Sequence, residues 1–235
     1  MFDTTIGRKV KEMIGIIAAM DLELQALTEK LEHKEGQMHA GVMYYTGTLE
    51  GVEVALCTCG VGKVNAAMHT QILIDKYHPT VIIQNGIAGS LANEVKYFDI
   101  VIGNELVYHD MQEFVLEQYG PFEKVYHTDR NLVNKAYEVA KRVDAKVHIG
   151  RIATGDWFVS NASDKADIAT RTRSLCTEME GCAVAHTAYL NEVPFVVMRA
   201  ISDMADDSAE VDYEEFQYKA ADRTVEMVVE LVKNL

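Results

Sequence analysis

The chain has 235 residues, 49% of them apolar and 25% charged; it is long enough to bury a sizeable core without staples, and its mix is not that of a disordered protein. Asp and Glu number 36 against 22 Lys and Arg, for a net charge of −14. Such a surface repels phosphate backbones and anionic lipid, so nucleic acid and membranes are excluded as partners. Four cysteines, Cys57, Cys59, Cys176 and Cys182, are too few for a disulfide scaffold and read as reduced thiols of a cytoplasmic protein. Cys57-x-Cys59 lies in a strand-like run, and no His or second Cys pair has ligand spacing. The pair therefore reads as core packing, with no metal and no cofactor expected.

Residues 1–12, "MFDTTIGRKVKE", are polar and form an N-terminal extension; a single domain spans 13–235. No apolar run approaches the roughly 20 residues of a membrane span. "MIGIIAAM" (13–20) reads as a strand buried on both faces. Asp21 can cap a helix over 22–33. Two strands follow over 41–60 about a Leu49-Glu50-Gly51 turn, then a helix over 62–77 that Pro79 stops. "TVIIQNGIAGS" (80–90) is a buried strand running into a Gly-rich turn, and 99–110 is the next strand. Residues 111–128 have weak periodicity and read as a loop. A helix over 131–143, a strand over 146–158, a helix near 163–173, the extended "TEMEG" segment, a helix over 182–192 and a strand over 194–203 follow. An amphipathic helix over 212–233 closes the chain. Strands alternating with helices, with three prolines and no linker, predict a three-layer αβα sandwich around a mixed, mostly parallel sheet.

In open α/β sheets ligands bind off the carboxyl ends of the strands. Those ends carry Met20 and Glu23, Val61, Ile87, Phe158 and Val159, Glu178, Met179 and Glu180, and Arg199, Ser202 and Asp203. Few are residues a sheet needs for stability. Together they make a pocket of carboxylates with apolar walls, the usual make-up of a small-molecule site. The chain has no G-x-S-x-G elbow and no H-E-x-x-H, and in "CGVGKV" Lys63 is followed by Val64, which is not a phosphate loop. His109 and Asp110 are adjacent and face opposite ways in a strand, which favours a structural or loop-anchoring role. Two separated carboxylates suit cleavage of a glycosidic bond, one as acid on the leaving group and one as base on water.

"IGIIAAMDLE", "CGVGKVNAA", "TGDWFV", "TEMEGCAVAH" and "RAISDMAD" occur in this order. Together they resemble the bacterial 5′-methylthioadenosine/S-adenosylhomocysteine nucleosidases of the purine nucleoside phosphorylase superfamily, over roughly residues 13 to 233. The resemblance implies a nucleoside phosphorylase-like fold, a homodimer, and release of adenine from 5′-substituted adenosines. It implies that Asp203 protonates adenine N7 and Glu23 activates water at the anomeric carbon. Glu180 would accept the ribose hydroxyls, with Met179 packing under the sugar. Glu178 would hold backbone or Arg199, and Arg199 would help position the water and the ribose. Phe158 would stack on adenine, the Val159 backbone would read its edge, and Ser202 would orient Asp203. Met20, Val61, Ile87 and Tyr213 would line the pocket.

The superfamily holds both hydrolases and phosphorylases. A phosphorylase needs a cationic, Arg-rich loop after the first strand, whereas this chain has "AAMDLE", whose carboxylates repel phosphate and suit water. Three positions depart from the family pattern. The 111–122 segment, "MQEFVLEQYGPF", replaces the stretch that builds the 5′-alkylthio pocket and brings Glu113 and Glu117. Ile87 stands where many members carry Ser, and Trp157 replaces a smaller or polar residue. 5′-Deoxyadenosine and aminodeoxyfutalosine therefore join methylthioadenosine and S-adenosylhomocysteine as candidate substrates. A phosphorylase and a catalytically silent adenosine sensor are the remaining alternatives.

Overall fold

The computed structural model describes residues 12–143 and 145–235; the expected extension lies almost wholly outside them. The chain runs β1 (Met13–Ala18), α1 (Asp21–Glu29), β2 (Glu32–His39), β3 (Val42–Leu49), β4 (Val52–Thr58), α2 (Lys63–Tyr77), β5 (Val81–Ser90) and β6 (Ile100–Tyr108). It continues through α3 (Glu113–Gln118), β7 (Tyr126–His127), α4 (Arg130–Arg142), β8 (Val147–Thr154), α5 (Ala162–Thr172), β9 (Cys176–Glu178), α6 (Gly181–Leu190), β10 (Phe195–Asp203) and α7 (Ala209–Val232).

The near-continuous apolar runs are strands buried on both faces, and their period of two is visible in what each side chain touches. From β1, Ile14, Ile16 and Ala18 enter the core with α1, α4 and α7, while Ile17 enters the opposite one with α2 and α6. In β10, Val196, Met198 and Ala200 face the first core and Phe195, Val197 and Ile201 the second. On α4, Leu132, Val133, Ala136, Val139 and Ala140 recur at helical spacing and are all buried. The Asp129 carboxylate caps that helix by accepting the Asn131 and Leu132 N–H groups. Helices on both faces of one mixed sheet give the expected α/β class.

The sheet is mixed, as expected, and more closed than a flat layer. β4, β1, β5 and β10 run parallel. β10 pairs antiparallel with β6, β6 and β8 are parallel, β8 and β9 are parallel, and β9 returns antiparallel to β5. β5, β10, β6, β8 and β9 thus form a closed ring, extended on one side by β1, β4, β3 and β2. Closure brings Ile87, Ala88 and Gly89 of β5, the segment after β8, Thr177 and Glu178 of β9, and Ser202 and Asp203 of β10 around one opening.

Three sequence expectations are corrected. The helix predicted to 33 stops at Glu29, and Glu32–His39 is the strand β2. Among the described residues "EHKEGQMH" pairs only with β3, and it is almost wholly exposed, so no buried face imprints a pattern on it. The loop predicted over 111–128 contains the short helix α3 and the strand β7. α3 buries only Leu116, too little to produce a periodicity. Asp21 is the first residue of α1 and does not cap it; the preceding position is Met20.

Candidate active site

One cavity collects the strand ends. Met20, Glu23, Val61, Ile87, Phe158, Val159, Glu178, Met179, Glu180, Ser202, Asp203 and Tyr213 all line it. Of the residues expected there, Arg199 alone lies behind the wall. Its fully buried guanidinium pairs with Glu178 and stands 3.5 Å from Glu180. Ala88, Gly89, Trp157 and Thr177 also line the cavity. Thr177 carries no sequence signal of its own; its register opposite Gly89 in the β5–β9 ladder places it there.

Glu23 is placed by the first turn of α1. Its carboxylate accepts N–H bonds from Ala19 (3.0 Å), Met20 (2.9 Å) and Ile87 (3.0 Å), and Asn85 Nδ2 donates to the Glu23 carbonyl at 2.8 Å. Burial pushes its carboxyl above the usual range against the opposing pull of Arg199 and the three amides. Gly86 makes this approach possible: a Cβ there would collide with both Arg199 Nη1 and Glu23 Oε1.

Asp203 ends β10 with both oxygens engaged. Ser202 Oγ donates to Oδ2 at 2.8 Å and the Ala205 N–H donates to Oδ1 at 2.9 Å. Burial raises its pKa to about 6, although those two bonds favour the ionised form. Glu180 is raised to about 7, first by burial, with Arg199 pulling down and Glu178 pushing up.

Glu178 and Glu180 have separate tasks. Glu178 accepts N–H bonds from Glu180 (3.0 Å) and Gly181 (2.7 Å), a hydroxyl bond from Thr154, and the Arg199 pair. All of these tie the start of α6 to β8 and β10. Among the described residues, Glu180 accepts only the Gly62 N–H at 2.8 Å and the long Arg199 contact, which leaves acceptor capacity facing the cavity. Arg199 is thus the buried counterion of a carboxylate cluster that would otherwise be prohibitive to desolvate.

The apolar walls close over these groups. Phe158 meets Tyr213 edge-on at 5.5 Å, and the Tyr213 hydroxyl reaches Met20 Sδ at 3.3 Å. Trp157 stands edge-on to the buried His109 ring at 4.7 Å. No residue of 111–122 lines the cavity; Glu113 and Glu117 instead pair with Lys124 in solvent. Among the described residues, no group of three or more His, Cys, Asp or Glu is arranged to hold a metal, and no helix is long and apolar enough to cross a membrane. All four cysteines are free and buried.

The phosphorylase superfamily model matches residues 13–233. A 5′-methylthioadenosine/S-adenosylhomocysteine nucleosidase of Staphylococcus epidermidis is 37% identical over 228 residues, covering 95% of this chain and all of that protein. The nucleosidase of Neisseria meningitidis, solved with methylthio-immucillin-A, superposes with a TM-score of 0.92 at 33% identity, over 95% of this chain and 100% of that one. That of Streptococcus pyogenes, solved with 5-methylthiotubericidin, also gives 0.92 at 33%, over 97% and 99%. The chain belongs to the phosphorylase superfamily and, within it, to the 5′-methylthioadenosine/S-adenosylhomocysteine nucleosidases.

Proposed function

We propose that the protein hydrolyses the N-glycosidic bond of 5′-substituted adenosines, methylthioadenosine and S-adenosylhomocysteine first among them, to release adenine. The observation that carries the mechanism is a pair of buried carboxyl groups, Glu23 and Asp203, lining one cavity and both raised above their ordinary range. A carboxyl with a pKa near 6 keeps a proton available to a leaving base, and a buried carboxylate of raised pKa is a stronger base toward water.

Adenine stacks on Phe158, with the Val159 backbone at its edge, and Glu180 accepts hydrogen bonds from the ribose hydroxyls. Asp203 gives its proton to N7 as the C1′–N9 bond breaks with its electron pair going to the base. Charge develops at C1′ toward an oxocarbenium ion. Glu23 takes a proton from water as the water oxygen bonds to C1′. The products are adenine and the 5′-substituted ribose.

Water is favoured over phosphate because Asp21 and Glu23 crowd the end of β1, and the nearby cation, Arg199, is already held by Glu178. Loss of adenine from methylthioadenosine leaves the methionine-derived sulfur on the sugar, which suits a role in methionine salvage. Free buried cysteines support a reducing, cytoplasmic setting. The exposed Met111, Phe114, Tyr119 and Phe122 supply an apolar face for a homodimer.

The test is adenine release from methylthioadenosine, S-adenosylhomocysteine, 5′-deoxyadenosine and aminodeoxyfutalosine, each with and without phosphate. Phosphate-independent release is expected. Release only with phosphate would make the protein a phosphorylase, and binding without release an adenosine sensor.

A further inference from the structure

Outside the cavity, three charged residues on three different strand ends meet around the start of α2. Lys63, the first residue of that helix, is held twice. Its N–H donates to Asp156 Oδ1 at 2.8 Å, and its ammonium donates to both oxygens of Asp110 at 2.7 Å each. Asp110 Oδ2 also accepts the Asp156 N–H at 2.8 Å, so the three residues close on one another. Asp110 follows β6 and Asp156 follows β8. The Asp110 side chain is only 11% exposed and that of Lys63 22%, and the ammonium lies 5.4 Å from the centre of the Tyr108 ring. A charge-assisted pair this sheltered fixes geometry far better than a freely solvated one.

The residue before Lys63 connects this cluster to the site. Gly62 has φ +97°, a conformation other residues adopt only with strain, and its N–H is the 2.8 Å donor to Glu180. Among the described residues the other donor facing that carboxylate, Arg199, is distant at 3.5 Å. The direction of Glu180 is therefore set from the β4–α2 turn, and that turn is set by Lys63.

We propose that Lys63, Asp110 and Asp156 are positioning residues, a latch that aims the Gly62 N–H at Glu180 and so holds its carboxylate for the ribose hydroxyls. None of the three lines the cavity; they act through Gly62. The proposal rests on the reading of Glu180 as the ribose acceptor.

The test separates sugar from base. Lys63→Met and the milder surface change Asp156→Ala are compared with wild type for methylthioadenosine turnover and for inhibition by adenine, which has no ribose. Each variant is expected to raise KM for methylthioadenosine about tenfold with kcat little changed, and to move the adenine inhibition constant less than about twofold. Lys63→Arg, which keeps the pair with Asp110, should recover most of the loss. An unchanged KM, or an adenine constant rising in parallel with KM, overturns the latch. If Lys63→Met does not fold, Asp156→Ala decides. Glu180→Gln is run beside them. If it raises KM and the latch variants do not, the latch alone is wrong; if it leaves KM unchanged, the ribose reading falls and the latch with it.

Discussion

The floor of the cavity and the segment beside its rim are built on opposite principles. On the floor, Glu23, Glu178, Glu180, Arg199 and Asp203 are all at least nine-tenths buried, and every carboxylate has named donors. The 111–122 segment is held at its surface by Lys124 to Glu113 and Glu117, with all three side chains well exposed. Low dielectric makes each floor contact strong and each missing partner costly, whereas solvent screens the segment's pairs to little. The floor therefore constrains the chemistry, and the segment's solvated ion pairs are where sequence can change at low cost.

Four substitutions or conditions would sharpen that contrast. Asp203→Asn removes the proton donor and should lower kcat for adenine release roughly 10²–10⁴-fold, with adenine still bound; near-normal turnover would remove Asp203 from the mechanism. Arg199→Leu leaves Glu178, Glu180 and Glu23 without their counterion and should destabilise the fold by about 3–5 kcal/mol in chemical denaturation. A loss well below 1 kcal/mol would mean the cluster relaxes by taking up protons.

The third concerns pH. The Asp203 pKa lies at about 6 in the fold, above its ordinary 3.8. Its neutral form is thus favoured by folding, and that stabilisation is complete below about pH 3.8 and lost as pH rises through 6. Between pH 4 and pH 8, wild type should lose on the order of 3 kcal/mol relative to Asp203→Asn, measured as the change in the gap between their unfolding free energies. The smallest effect belongs to the exposed segment. Lys124→Ala should leave both the unfolding midpoint and KM for methylthioadenosine unchanged within error, and a clear rise in KM would tie that segment to the site.

The sequence exposed those parts of the molecule that repeat or punctuate. Uniform apolar runs marked β1, β5 and β10, and near their ends Glu23, Ser202 and Asp203 line the cavity while Asp21, Asn85 and Arg199 do not. β2 stayed hidden because a solvated edge strand has no buried face to alternate. Ring closure stayed hidden because β9 is three residues long, too short to announce its two partners. Arg199 sits on a strand end like its neighbours, and only three-dimensional packing shows it turned away from the cavity into the carboxylates. Lys63, Asp110 and Asp156 lie 47 and 46 residues apart along the chain, so no local pattern joins them.

The edge strand β2 has a consequence for how the protein behaves in company. Its outer backbone groups would template another chain's strand if the edge were flat and apolar. Instead it carries Glu32, His33, Lys34 and Glu35, with the register broken between Glu32 and Glu35 and His33 at φ +53°. A second molecule approaching that border meets charge and a kinked ladder. Concentrated solutions should therefore resist fibre growth from this side, and a variant with an apolar, regular β2 would be the one to polymerise.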